Sequence, residues 1–145
     1  MFKTTNVLEW ANSHPRKLFL LDALGAVTSA ILLGIVLVKL EWIFGIPEST
    51  LYFLAFLPCL FAIYDLYCFF QISSRVGIFL KGLAIINLSY CCLSIGLATY
   101  HYEKITIWGW TYILLEILIV TLLAIIELKT ANQLIRSPNK VIDKL

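Results

Sequence analysis

Three carboxylic acids stand where carboxylates are expensive. Asp22, Asp65 and Glu116 each lie inside a run of apolar residues, and an ionisable group carried into hydrocarbon costs about 2.5 to 3.5 kcal/mol on insertion scales. Such a group persists either as a neutral or paired residue gluing helices together, or as the carrier of a proton, a cation or a polar ligand. Asn87, Tyr64, Tyr67 and Tyr112 lie within a few turns of these acids or at matching depth, and amide and phenol groups can donate to a carboxyl. The candidate ligand- or proton-binding set is therefore Asp22, Asp65, Glu116, Asn87, Tyr64, Tyr67 and Tyr112. No spacing singles out a catalytic residue.

Other chemistries are disfavoured residue by residue. His14 and His101 fall at opposite ends of apolar runs, so they do not share a haem or a metal. Cys91 and Cys92 are adjacent, and side chains one residue apart on a helix point about 100° apart, unlike a CxxC redox pair. All four cysteines (Cys59, Cys68, Cys91, Cys92) sit in apolar runs and read as small buried side chains. There is no glycine-rich phosphate loop, HExxH or GxSxG. Glu41, Glu48, His101 and Glu103 read as scattered loop charges. We expect no metal and no cofactor, and a net charge of +2 gives no reason to expect nucleic acid.

The elements that position these residues follow from composition. The chain has 145 residues, 61% hydrophobic and 14% charged, with mean hydropathy +0.90, too little charge for a water-facing surface. It reads as one all-α membrane domain. Spans are predicted over about 17–39, 51–71, 77–100 and 105–129, each near the roughly 20 apolar residues that cross a bilayer. Short connections predict an antiparallel up-down-up-down bundle. Residues 1–14 form a candidate interfacial segment and 131–145 a cytoplasmic tail. No small-residue cleavage site closes the first apolar run, so we expect that run to be retained. Setting Leu18 to Phe70 against Ile78 to Thr130 reveals no repeat beyond apolar matches.

Nine Lys and Arg residues (Lys3, Arg16, Lys17, Arg75, Lys81, Lys129, Arg136, Lys140, Lys144) flank one side and two (Lys39, Lys104) the other. The positive-inside rule then puts both termini and the middle loop in the cytoplasm, in a cell inner (plasma) membrane. Trp42, Phe44, Tyr52, Tyr100, Tyr102, Trp108 and Trp110 gather at the outer ends as an aromatic belt. Helical rise places Asp22 about 7 to 8 Å below the inner boundary, and Asp65 and Asn87 about 9 Å. One polar layer across three spans is expected. Glu116 falls near the bilayer centre with Tyr112 one turn before it, and Glu127 returns to the same face eleven residues later. At its depth Glu127 reads as a solvated interfacial charge.

Asp22, Gly25, Ala26 and Ser29 form a small-residue stripe, and Asn87, Cys91, Ser94 and Ala98 form another. Both are read first as close helix packing. Pro58, seven residues before Asp65, is expected to open a pocket beside that acid. The functional expectation is a polytopic inner-membrane protein that binds or passes a small ligand or proton through an acid-lined interior. The lipid bilayer and a second copy of the chain, or a larger assembly, are its expected partners. A noncatalytic accessory subunit, or a membrane enzyme acting on a lipid-like substrate, fits the same residues. For topology, with native cysteines replaced, a reporter cysteine in the middle loop, next to Arg75, should react with an impermeant thiol reagent only from the cytoplasmic side. A reporter at Glu48 should react only from the opposite side, and the reverse pattern would overturn the charge argument.

Overall fold

The computed structural model describes residues 4–71 and 75–136. Lys3, Lys140, Lys144 and the tail beyond Arg136 lie outside the described residues. The fold is all-helical. Helix α1 covers Thr4–Ser13; α2 covers Pro15–Ile31 and runs on through a π-helical segment, Leu32–Leu37; α3 is the short Glu41–Phe44. Helices α4 (Glu48–Gln71), α5 (Val76–Tyr100) and α6 (Ile107–Arg136) complete the chain. Four helices are long and apolar enough to cross a membrane: Pro15–Leu37, Glu48–Phe70, Val76–Tyr100 and Ile107–Arg136. This is a multi-pass membrane protein.

Local chemistry sets the ends. Pro15 occupies the first turn of α2, where its missing N–H costs nothing. The Pro47 carbonyl accepts from the N–H groups of Thr50 (2.9 Å) and Leu51 (3.0 Å), so α4 begins before the predicted Leu51. Thr106 caps α6, its Oγ1 accepting from the Gly109 N–H at 3.3 Å, as an N-cap hydroxyl does. Helix α6 continues beyond the predicted Lys129, to Arg136. Packing explains the extension: Thr130 and Ala131 are fully buried, and the Asn12 amide of α1 donates to Gln133.

Helix α2 packs on α4, and α5 on α6, over most of their lengths, whereas contacts between the two pairs are sparse. The apolar interior has two parts. One gathers Leu33, Leu37, Leu51, Leu54 and Ile113 near the short helix α3. The other gathers Ala11, Leu18, Phe19, Leu80, Leu83 and Ala131 around α1. Segment 1–14 thus contains a packed helix. Two of the cysteines depart from expectation: all four thiols are free, but Cys59 and Cys92 are exposed on outward helix faces rather than buried. Of the aromatic belt, Trp42, Tyr52, Tyr100, Tyr102 and Trp108 are exposed, while Phe44 and Trp110 turn inward onto the first apolar cluster.

At the α3 end the two pairs are clasped by hydrogen bonds of backbone and side chains. The Thr106 hydroxyl donates to the Ile43 carbonyl at 2.6 Å, the Thr106 N–H donates to the Phe44 carbonyl at 3.1 Å, and Thr50 Oγ1 meets His101 Nε2 at 3.2 Å. Two glycines make this possible. Gly45 has φ +69°, and a Cβ there would overlap the Lys104 carbonyl oxygen; a Cβ on Gly109 would overlap that of Phe44. Gly45→Ala and Gly109→Ala should therefore each cost about 1 to 3 kcal/mol in strain and clash. Gly96→Ala, on a helix where the new methyl meets nothing within 4 Å, should gain about 0.5 to 1 kcal/mol. Unfolding titrations in mixed micelles check the contrast, and equal effects at the three sites would refute the clasp.

Candidate functional site: an acid-walled waist

Between the two apolar clusters, each long helix contributes one buried polar side chain: Asp22 from α2, Asp65 from α4, Asn87 from α5 and Glu127 from α6, none more than 6% exposed. Asn87 is the hub. Its Nδ2 donates to Asp22 Oδ1 at 3.1 Å and to Glu127 Oε2 at 3.4 Å. The Asp65 carboxyl faces that of Asp22, and among the described residues neither Asp65 oxygen nor Glu127 Oε1 has a donor partner. The Asn87 amide offers two N–H groups against the oxygens of three carboxyls. The deficit is met by protons held on the acids themselves or by a bound donor, since an unsatisfied buried oxygen costs about 1 to 3 kcal/mol.

Toward the α3 end lies a second group. Tyr90 donates through its hydroxyl to Glu116 Oε1 at 3.3 Å, and Ser29 borders the same cavity as that carboxyl. The Tyr90 ring is held edge-on to Phe61, centroids 5.9 Å apart. A cavity of about 270 Å³ joins the two groups, with Asp22, Asn87, Tyr90, Tyr112 and Glu116 among its walls. Among the described residues no three His, Cys, Asp or Glu side chains converge to hold a metal ion.

Of the expected layer, Asn87 is hydrogen-bonded to Asp22 and Asp65 is buried, and Glu116 and Tyr112 both line the cavity. The tyrosines of α4 do not join. Tyr64 donates instead to the Phe79 carbonyl at 3.3 Å, and Tyr67 is 59% exposed on the outer face. Glu127, read from sequence as a solvated charge, is fully buried, because α6 runs past the membrane-length stretch and carries that residue into the bundle. Its signal is the eleven-residue spacing from Glu116. Pro58 does border a cavity, but one flanked by Asp22 and Glu116 rather than by Asp65. The α2 stripe also departs from its first reading: Gly25 faces open space, with nothing within 4 Å of where a methyl group would stand, and Gly25, Ala26 and Ser29 line the cavity instead of a helix seam. The α5 stripe is buried as expected. Tyr90 and the role of Ser29 have no sequence signal beyond their helix faces.

No protein-family model matches this chain, and neither characterised proteins nor solved structures show significant similarity to it.

Contact within the waist has a thermodynamic signature. Asn87→Leu should destabilise by about 1 to 3 kcal/mol for each oxygen stripped of its donor. Double-mutant cycles among Asp22, Asp65 and Asn87 should give coupling energies of about 0.5 to 3 kcal/mol, whereas additive losses would mean that the three side chains do not meet.

Proposed function

We propose that this protein binds a small ligand or carries protons at carboxyl groups enclosed within a four-helix bundle. In this reading the helices run antiparallel, up-down-up-down, with both termini on the cytoplasmic side of an inner (plasma) membrane, in keeping with the nine-to-two distribution of basic residues. The observation that carries it is the cavity of about 270 Å³ walled by Asp22 with Asn87 on one side and Glu116 with Tyr90 on the other. Glue alone would be served by closed contacts, and dry bundles fill such space with side chains. Acids bordering an unfilled cavity are suited to receive a donor. Ligand binding needs one chain only; a route through the whole membrane calls for a second copy, because four helices enclose little more than this cavity.

The amide variants Asp22→Asn and Glu116→Gln keep shape and most hydrogen bonds while removing titration. In lipid nanodiscs, a panel of small amines, alcohols and acids should include a compound that stabilises the parent by about 2.7 kcal/mol at a hundredfold excess over its Kd, or vesicles holding a pH-sensitive dye should show proton flux above empty controls. Either signal should vanish in both amide variants while their elution volume stays that of the parent. A parent silent in both assays, or variants that match an active parent, would assign the acids to packing alone.

A further inference from the structure

The mouth of the cavity is as informative as its walls. Of the residues around it, Gly25 and Thr28 on α2 and Leu115 and Ile119 on α6 are exposed at the protein surface, Leu115 by 55% and Ile119 by 58%. Gly25 stands ten residues into the span Pro15–Leu37, and Ile119 twelve residues into Ile107–Arg136. Both are mid-span, so the opening faces hydrocarbon and not water. Behind it the polar groups are concentrated at Asp22 with Asn87 and at Glu116 with Tyr90, and most remaining walls are apolar, among them Leu32, Pro58, Phe61 and Leu123.

From this geometry we infer that the cavity takes a lipophilic amine, a linear hydrocarbon chain bearing a basic nitrogen, sideways from the bilayer between α2 and α6. The inference rests on the ligand-binding reading above and adds the ligand class and its route. Acceptors outnumber donors on the polar walls, so the complementary head is rich in N–H groups; a carboxylate head brings only further acceptors and no base to take a proton from the site. An amine arriving neutral from the lipid takes the proton from a carboxylic acid of the site. The products are an alkylammonium and a carboxylate held as a hydrogen-bonded pair, which needs no further reactant. The cavity of about 270 Å³ has room for the head and the first part of a chain. The rest of the chain leaves through the mouth, between Gly25 and Ile119, among lipid tails.

The test uses the full-length protein in lipid nanodiscs, with dicyclohexylcarbodiimide as a lipid-soluble carboxyl reagent and mass spectrometry as readout. Glu116 or Asp22 should be modified by this reagent and not by a water-soluble carbodiimide. Saturating n-decylamine should suppress that modification by about tenfold or more, a change equivalent to at least 1.4 kcal/mol, whereas n-decanol should give weaker protection and decanoate none. Gly25→Trp places a large side chain in the open mouth, where its Cβ meets nothing within 4 Å; it should block modification and n-decylamine binding at an unchanged thermal midpoint. Thr28→Trp serves if the first variant fails to fold, and Ile63→Trp, on the outer face of α4 at 66% exposure, should leave both signals intact. Equal protection by n-decanol would overturn the amine while leaving the binding cavity standing. Modification by the water-soluble reagent alone would overturn the lateral route, as would a Thr28→Cys disulfide between two copies, which would make the mouth a subunit interface. Absence of modification and of protection overturns the inference, and the amide-variant experiment then decides separately whether the ligand-binding reading survives.

Discussion

Hydrocarbon offers a buried carboxyl no solvent to bond, and the arrangement of this bundle turns on how Asn87 answers that lack. One side-chain amide donates to acids from two other helices, Asp22 and Glu127, and the first of these in turn faces Asp65 on the remaining helix. Four spans are thereby brought to one level by side-chain chemistry. Lipid tails are as apolar as leucine, so burial alone provides little force to align helices in a membrane, and polar contacts of this kind carry more of the specificity than their number suggests. The sparse packing between the α2–α4 and α5–α6 pairs makes the point concrete: where side-chain contacts do not hold the pairs together, space remains.

That space lies beside the hub. The interior is divided into two apolar clusters, and the acids separate them. Glu116 extends the polar region toward the α3 end through Tyr90, while the π-helical segment at Leu32–Leu37 begins at the cavity wall. Within it Leu33 and Leu37 are buried. Short π segments often mark such sites because they re-aim a helix face without ending the helix.

Much of this architecture is legible in the order of the residues. Four spans follow from hydropathy, and the shared depth of Asp22, Asp65 and Asn87 follows from helical rise, because both depend only on counting residues along a helix. The features that escape such counting depend on contacts between distant segments. Depth counted from Lys129 makes Glu127 look solvated, yet the helix is prolonged by the buried Thr130 and Ala131. The stripe at Gly25, Ala26 and Ser29 has the composition of a packing seam, and only the lack of a close neighbour at Gly25 turns it into a cavity wall. Tyr67 and Tyr64 are near Asp65 along the chain, but a helix sends side chains two and one residues away to other directions. The π-helical segment leaves no trace in the residue pattern.

The α2–α6 boundary is tied at both extremes. At one, the carbonyls of Ile43 and Phe44 accept hydrogen bonds from Thr106, with Gly45 and Gly109 allowing the close approach; at the other, α1, which leads directly into α2, is hydrogen-bonded to α6 through Asn12 and Gln133. Between these ties α2 rests along α4 and leaves open the side that looks toward α6. At Gly25 nothing stands within 4 Å of where a side chain would begin, and the helical pitch changes a few residues on. The opening is thus bounded along its length by two helices and at each end by a hydrogen-bonded tie. The aperture resembles a buttonhole, a slit whose length is set by the stitches at its ends.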